Sequence, residues 1–234
     1  MTMTSTSTLR RPVAVARVAG LLYLVIIVAG VGGEALVRGP IAVAGDPSQT
    51  VANLVAAELP FRLSVMGDAL MDLADVALGV LLFFLLRPVS RVLSMMAMAF
   101  RLAQAAILGI NLLNLLLAAS FAGRGDPLAA AFLEAHGVGY DLGLLFFAIN
   151  CVLVGALVYR AGFMPRAIGA ALGLSGLVYF VGSTLRVVAP ELAPAVAPAY
   201  ALPLVAELAF CGWLLIRGVR TPSWRAAVGL PAAA

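Results

Sequence analysis

Residues 61–86, FRLSVMGDALMDLADVALGVLLFFLL, decide the fold. The run is apolar and long enough to cross a bilayer, because about 20 helical residues span a hydrocarbon core of about 30 Å, yet it carries Asp68, Asp72 and Asp75. At offsets of i, i+4 and i+7 the three carboxylates fall on one helical stripe, with Val65 above and Gly79 below. The opposite side, Leu70, Leu73, Ala77, Val80 and Phe84, is wholly apolar. An aspartate at mid-membrane costs roughly 2.5–3.5 kcal/mol on translocon scales. The stripe must therefore face protein, water or a cation, and the rest of the chain is expected to surround it.

Composition agrees with a membrane setting. Of 234 residues, 63% are hydrophobic and 11% charged, and the mean hydropathy is +1.09; soluble domains carry about 25% charge. The length holds about six spans with short loops and leaves no room for a sizeable soluble domain. All 15 basic side chains are arginine. Cys151 and Cys211 both fall inside apolar runs, where small polarisable thiols pack as apolar groups, and free thiols are expected. Arg10 and Arg11 precede an apolar run as in a secretion signal, but the run extends past Val37 and further spans follow, so a retained first helix is expected.

Outward from the aspartate run, the chain orders itself. Residues 1–11 read as a disordered tail and 18–37 as the first span, with Glu34 near its end. In Gly45-Asp46-Pro47-Ser48-Gln49, Asp46 can cap, Pro47 suits the first helical position and Gln49 can complete a capping box, which predicts a short surface helix over 47–59 stopped by Pro60. Beyond the second span, Arg87-Pro88-Val89-Ser90-Arg91 is a tight reversal between antiparallel helices. The third span, 92–119, places Arg101, Gln104 and Asn111 on one face with Asn114 nearby. Gly125-Asp126-Pro127 repeats the earlier cap and predicts a second surface helix. The fourth span, 139–159, has Tyr140 and Asp141 at its entrance and Asn150 at its centre. The fifth, 167–188, has Gly169 and Gly173 at the spacing that allows close helix approach, and Ser175, Tyr179 and Arg186 along one face. Pro190, Pro194 and Pro198 mark a loop, and the sixth span, 199–217, has Pro203 one turn before Glu207.

Arginines near span ends predict orientation. Arg10, Arg11, Arg17, Arg87, Arg91, Arg160, Arg166, Arg217, Arg220 and Arg225 gather on the side of both termini, where no acid lies. Both termini are therefore expected in the cytoplasm and the protein in the inner (plasma) membrane. The expected organisation is a tail over 1–11, one six-span domain over 12–220 and a short cytoplasmic tail over 221–234.

Depth brings polar groups to one level. At 1.5 Å per residue, Arg101, Asn150 and Glu207 each lie about 15 Å from the arginine at the cytoplasmic end of their span, Arg91, Arg160 and Arg217, and Asp75 lies at a similar depth. Asp75 and Arg101, on adjacent antiparallel helices, are expected to form a buried ion pair. Asp68, Asp72, Asp75, Arg101, Gln104, Asn111, Asn150 and Glu207 form the candidate set for an ion or small polar ligand at the midplane; the bland alternative is a structural network in which the same groups neutralise one another. Asp68 and Asp72 outnumber the arginines able to reach them unless Arg186 reaches in, so at least one carboxylate is expected to stay unpaired.

Enzyme signatures are few. His136, the only histidine, is expected in an outer loop, which excludes bis-histidine haem and multi-histidine metal sites. Met95, Met96 and Met98 read as packing side chains. Gly67-Asp68 and Tyr140-Asp141 do not complete an intramembrane aspartyl protease signature, since the glycine pattern is incomplete and the order reversed. No phosphate loop, serine elbow or zinc spacing occurs.

Several stretches resemble a known pattern: Ala16-Arg17-Val18-Ala19-Gly20-Leu21-Leu22-Tyr23-Leu24, Gly45-Asp46-Pro47 with Thr50-Val51-Ala52-Asn53, Phe61-Arg62, Arg87-Pro88-Val89-Ser90-Arg91 and Phe100-Arg101-Leu102. They resemble the bacterial six-span membrane family filed as domain of unknown function 4386, and the resemblance implies a multi-pass fold and no particular activity. The expected fold is an all-α integral membrane protein, a six-transmembrane-helix bundle with two short interfacial helices. The expected role is binding or transport of an ion or small molecule; the alternatives are a regulatory or scaffolding subunit and, third, an intramembrane enzyme. The expected partners are the lipid bilayer and a small ion or polar ligand, with no nucleic acid and no cofactor.

Overall fold

The computed structural model describes residues 12–229, so the tail expected over 1–11 lies outside the described residues. Eight helices follow in order: α1 (Pro12–Ile41), α2 (Pro47–Ala56), α3 (Glu58–Leu86), α4 (Arg91–Ala122), α5 (Leu128–Arg160), α6 (Arg166–Val188), α7 (Pro190–Ile216) and α8 (Thr221–Ala227). All but α2 and α8 are long and apolar enough to cross a membrane.

Each spanning helix packs on its neighbours in sequence, and α7 returns to pack on α1, so the six spans close into a ring. The aspartate stripe faces inward, with Asp68, Asp72 and Asp75 at 1%, 8% and 2% exposure against 55% and 69% for Leu70 and Leu73 on the opposite side. Lipid can cover the second face and protein covers the first.

Local chemistry explains the boundaries. Asp46 accepts from the Gln49 amide at 2.9 Å and caps α2, but the helix ends at Ala56 rather than at residue 59. Pro60 does not stop it. Proline lacks only an N–H that the first turn of a helix leaves unpaired anyway, so Pro60 sits inside the first turn of α3. Ser90 caps α4 through the Leu93 amide at 3.3 Å. Asp126 accepts from the Leu128 amide at 2.9 Å, as its motif indicates, yet what it opens is the 33-residue α5 itself rather than a separate surface helix before residue 139. The fourth span, expected to begin at residue 139, thus starts eleven residues earlier, and Gly139 sits within it, where a Cβ would collide with the Asn111 side chain of α4. The proline-rich loop expected before the sixth span is likewise a series of short helical turns from Pro190 to Tyr200.

Two apolar clusters fill the ring unevenly. One joins Tyr23 of α1, Leu82 and Leu85 of α3, Leu157 of α5 and Phe210 of α7, and closes the end nearest the chain's termini. There α8 docks: Trp224 is fully buried and donates its indole N–H to the Leu85 carbonyl at 3.0 Å, so the start of the segment expected to be a tail is packed structure. The other cluster joins Val51 and Leu54 of α2 to Phe61, Val65, Leu115 and Ala129 at the opposite end. The α5–α6 seam is the tightest, because a Cβ on Gly155 would lie 2.5 Å from the Gly173 backbone nitrogen and 2.7 Å from the Gly169 oxygen. Cys151 and Cys211 are buried free thiols.

Candidate functional site

The space left between the two clusters is a cavity of about 480 Å³ inside the ring. Its floor is built from three spans that sequence places at one depth. Arg101 of α4 pairs with Asp75 of α3, and its second terminal nitrogen lies 3.4 Å from Asn150 Oδ1 of α5. Asn150 in turn donates to the Ala97 carbonyl at 2.8 Å, tying α5 to α4. The Arg101 guanidinium also sits over the rings of Tyr23 and Phe147, at 5.5 and 5.2 Å. Each of these contacts offsets the desolvation of a cation that is 2% exposed.

Beside this cluster lies Glu207 of α7, which accepts from the Tyr23 hydroxyl at 3.1 Å and from the Tyr179 hydroxyl. The other cavity-lining carboxylates each have an arginine: Glu34 has Arg38, Asp75 has Arg101 and Asp141 has Arg186. Glu207 has none within ion-pair distance among the described residues.

Nearer the mouth, α1 departs from regular helix. Residues Gly33–Arg38 form a π-helical turn, with the Gly39 amide reaching back to the Glu34 carbonyl. Single π turns of this kind recur at functional sites. This one follows Gly30 and Gly32 and turns Arg38 inward, where it meets Asp68 at 2.8 Å, Glu34 at 3.0 Å and Ser64 at 3.4 Å. Across the mouth Arg186 of α6 meets Asp141 of α5 at 2.8 Å, and Ser183 donates to the same carboxylate at 3.0 Å. Arg186 therefore serves Asp141 and not the aspartate stripe.

The candidates read from sequence divide. Asp75, Arg101, Gln104 and Glu207 line the cavity, and Asn150 supports Arg101 from behind. Asp68 is held by Arg38. Asn111 is turned to α5, donating to the His136 carbonyl at 2.8 Å and lying 3.1 Å from its ring Nδ1. Asp72 is buried with neither oxygen partnered among the described residues, and Gln104 Oε1 is also unpartnered. His136 is corrected from an outer loop to a buried position on α5 that lines the cavity. Sequence reasoning also passed over Arg38 and the hydroxyls of Tyr23 and Tyr179. Arg38 had one local signal, its i, i+4 spacing from Glu34; Tyr179 had another, its place on the inward face with Arg186.

The pattern of the family described as Domain of unknown function (DUF4386) matches residues 18–218. A protein of Archaeoglobus fulgidus described as uncharacterized is 32% identical over 164 residues, covering 68% of this chain and 86% of that protein. No solved structure matches. The chain belongs to the DUF4386 family.

Proposed function

We propose that this DUF4386 protein binds a small polar molecule or ion in its central cavity, as a membrane binding or transport protein whose mouth faces away from the cytoplasm. One observation carries the reading: a ring of six spans surrounds about 480 Å³ that ends on Glu207, a buried carboxylate with no arginine within ion-pair distance among the described residues. That volume lies within the range of about 300–1,000 Å³ usual for small-molecule sites.

A purely scaffolding core accounts for the paired charges. Asp75–Arg101, Asp68–Arg38 and Asp141–Arg186 each neutralise one another between helices, and buried pairs of this kind can serve to specify packing. Glu207 does not fit that account, since it costs desolvation and joins no countercharge. The sidedness rests on the ten arginines near the termini.

Two measurements test the reading. In a background with Cys151 and Cys211 replaced by Ala, Gly137→Cys at the mouth should react with an impermeant maleimide from outside intact cells. Labelling of Gly137→Cys only after permeabilisation would reverse the orientation. Proteoliposomes should bind or take up at least one of rubidium, methylamine and acetate above empty vesicles, and Ala35→Trp, which fills the mouth, should abolish the signal. If none of these probes is bound at any pH and Ala35→Trp changes nothing, the binding role fails and the scaffold remains.

A further inference from the structure

We infer that the cavity's ligand is a protonated amine carrying an apolar group, held by Glu207 at the floor and by the tyrosine-rich wall above it; this rests on the central cavity being a binding site.

Charge comes first. Four carboxylates and three guanidinium groups line the space, and Arg38 is further shared with Asp68 behind the wall. The excess is negative, and the carboxylate that lacks a cation is Glu207. An ionised carboxylate offers about four acceptor sites, and the two tyrosine hydroxyls use two, so N–H donors can still be received. An anionic ligand has no such opening at the floor, because the Arg101 terminal nitrogens are engaged by Asp75 and Asn150 and its unpartnered Nε is buried away from the space.

The wall points the same way. Phe147, Tyr179 and Tyr200 form a continuous aromatic run, with centroids 5.4 and 5.7 Å apart and planes inclined at 58° and 74°. Faces attract cations, and in this site the Phe147 and Tyr23 rings already hold a guanidinium. The acceptor sites left on Glu207 favour an ammonium bearing N–H over a quaternary one. Much of the remaining lining is aliphatic, including Ile27, Val31, Leu144 and Leu204, with His136 and Tyr140 beside them, and suits an alkyl or aryl substituent.

Benzylamine, benzyl alcohol and benzoate share one ring and differ in charge, so calorimetric titration of the full chain in nanodiscs separates the alternatives. Benzylamine should bind at least tenfold more tightly than the other two. Glu207→Gln should remove that preference, while Asp72→Asn leaves it within threefold. Should Glu207→Gln fail to fold, Tyr200→Leu decides, with an expected loss of fivefold or more for benzylamine. Equal or tighter binding of benzoate or benzyl alcohol would overturn the amine assignment, and if Ala35→Trp abolished that binding the central-cavity reading would still stand. Benzylamine affinity unchanged by Glu207→Gln, or by Tyr200→Leu, would also overturn it, as would absence of binding by all three probes; rubidium or acetate uptake sensitive to Ala35→Trp would then leave only the broader reading.

Discussion

Three aspartates on one helical stripe should answer the same substitution in three different ways. Replacing Asp75 by Asn leaves the Arg101 guanidinium, 2% exposed, with no countercharge, held only by neutral amide oxygens such as Asn150 Oδ1 at 3.4 Å and by two aromatic faces. Stranding one member of a buried pair costs about 3–5 kcal/mol. Asp68→Asn removes the 2.8 Å pair to Arg38, but Glu34 stays at 3.0 Å, so the loss should approach that of a charge-assisted hydrogen bond, about 1.5–3 kcal/mol. Asp72 has no partner to lose among the described residues, and an amide of equal volume removes a buried charge at the cost of no bond. Asp72→Asn should therefore shift stability by under about 1 kcal/mol, or raise it. Reversible unfolding in mixed micelles at one pH gives all three values. A double-mutant cycle of Asp75→Asn with Arg101→Met should show at least about 2 kcal/mol of coupling. An Asp72→Asn penalty equal to that of Asp75→Asn, or losses at Asp75 and Arg101 that simply add, would refute this assignment of partners.

Gly155→Leu should separate α5 from α6 and lower folded yield, since even a methyl group meets backbone at 2.5 Å and overpacking commonly costs about 1–3 kcal/mol; unfolding in detergent reports it. Trp224→Phe loses the indole bond to Leu85 and part of the volume of a fully buried ring, so about 1–3 kcal/mol is expected, and no change at all would mean that α8 does not dock. Asp46→Ala removes the α2 cap and should raise amide exchange at Gln49 roughly threefold to tenfold while leaving α3 protected. A reporter fused at the C-terminus should be active as a cytoplasmic fusion, and periplasmic phosphatase activity would reverse the proposed orientation.

How much of this could be read beforehand depended on how closely the chain ties two residues together. Asp75 and Arg101 sit on helices joined by residues 87–90 alone, so counting rise from the turn fixes their relative depth. Gly169 and Gly173 were legible from their i, i+4 spacing on one helix, while their partner Gly155 on α5 was not. Arg38 and Asp68 lacked so short a tether. A whole helix, α2, lies between them, and the π turn at Gly33–Arg38 changes which way Arg38 points, so no regular periodicity could pair them. His136 was hidden by Gly137 and Gly139, whose low helix propensity disfavours a helix there; the close packing of Gly139 against Asn111 is a tertiary fact. The Tyr23–Glu207 bond depends on ring closure between the first and last spans, and no local pattern records it.

That closure also decides where the cavity can open. At the level of Gly20 the α1–α7 seam is close, since a Cβ there would lie 2.8 Å from Leu215, and Cys211 Sγ donates to the Gly20 carbonyl at 3.4 Å. One turn higher, Tyr23 meets Phe210 edge to face at 5.9 Å. Higher still, Val31 and Leu204 each lie about 16 Å from the Gly20–Leu215 contact by helical rise; both line the cavity, and they are 52% and 47% exposed. The seam is thus closed near the termini and lined by the cavity toward the other end, and its exposed rim is apolar until Glu34. A solute with a charged head and an apolar tail can keep both ends in suitable surroundings along such a seam, the tail against Val31 and Leu204 and the head drawn inward to Glu207. A solute that is polar throughout gains nothing from that apolar rim and would have to enter from the mouth, past Arg38 and Arg186. The two routes differ in their dependence on Leu204, because Leu204→Gln would penalise an apolar tail and leave entry through the mouth unchanged.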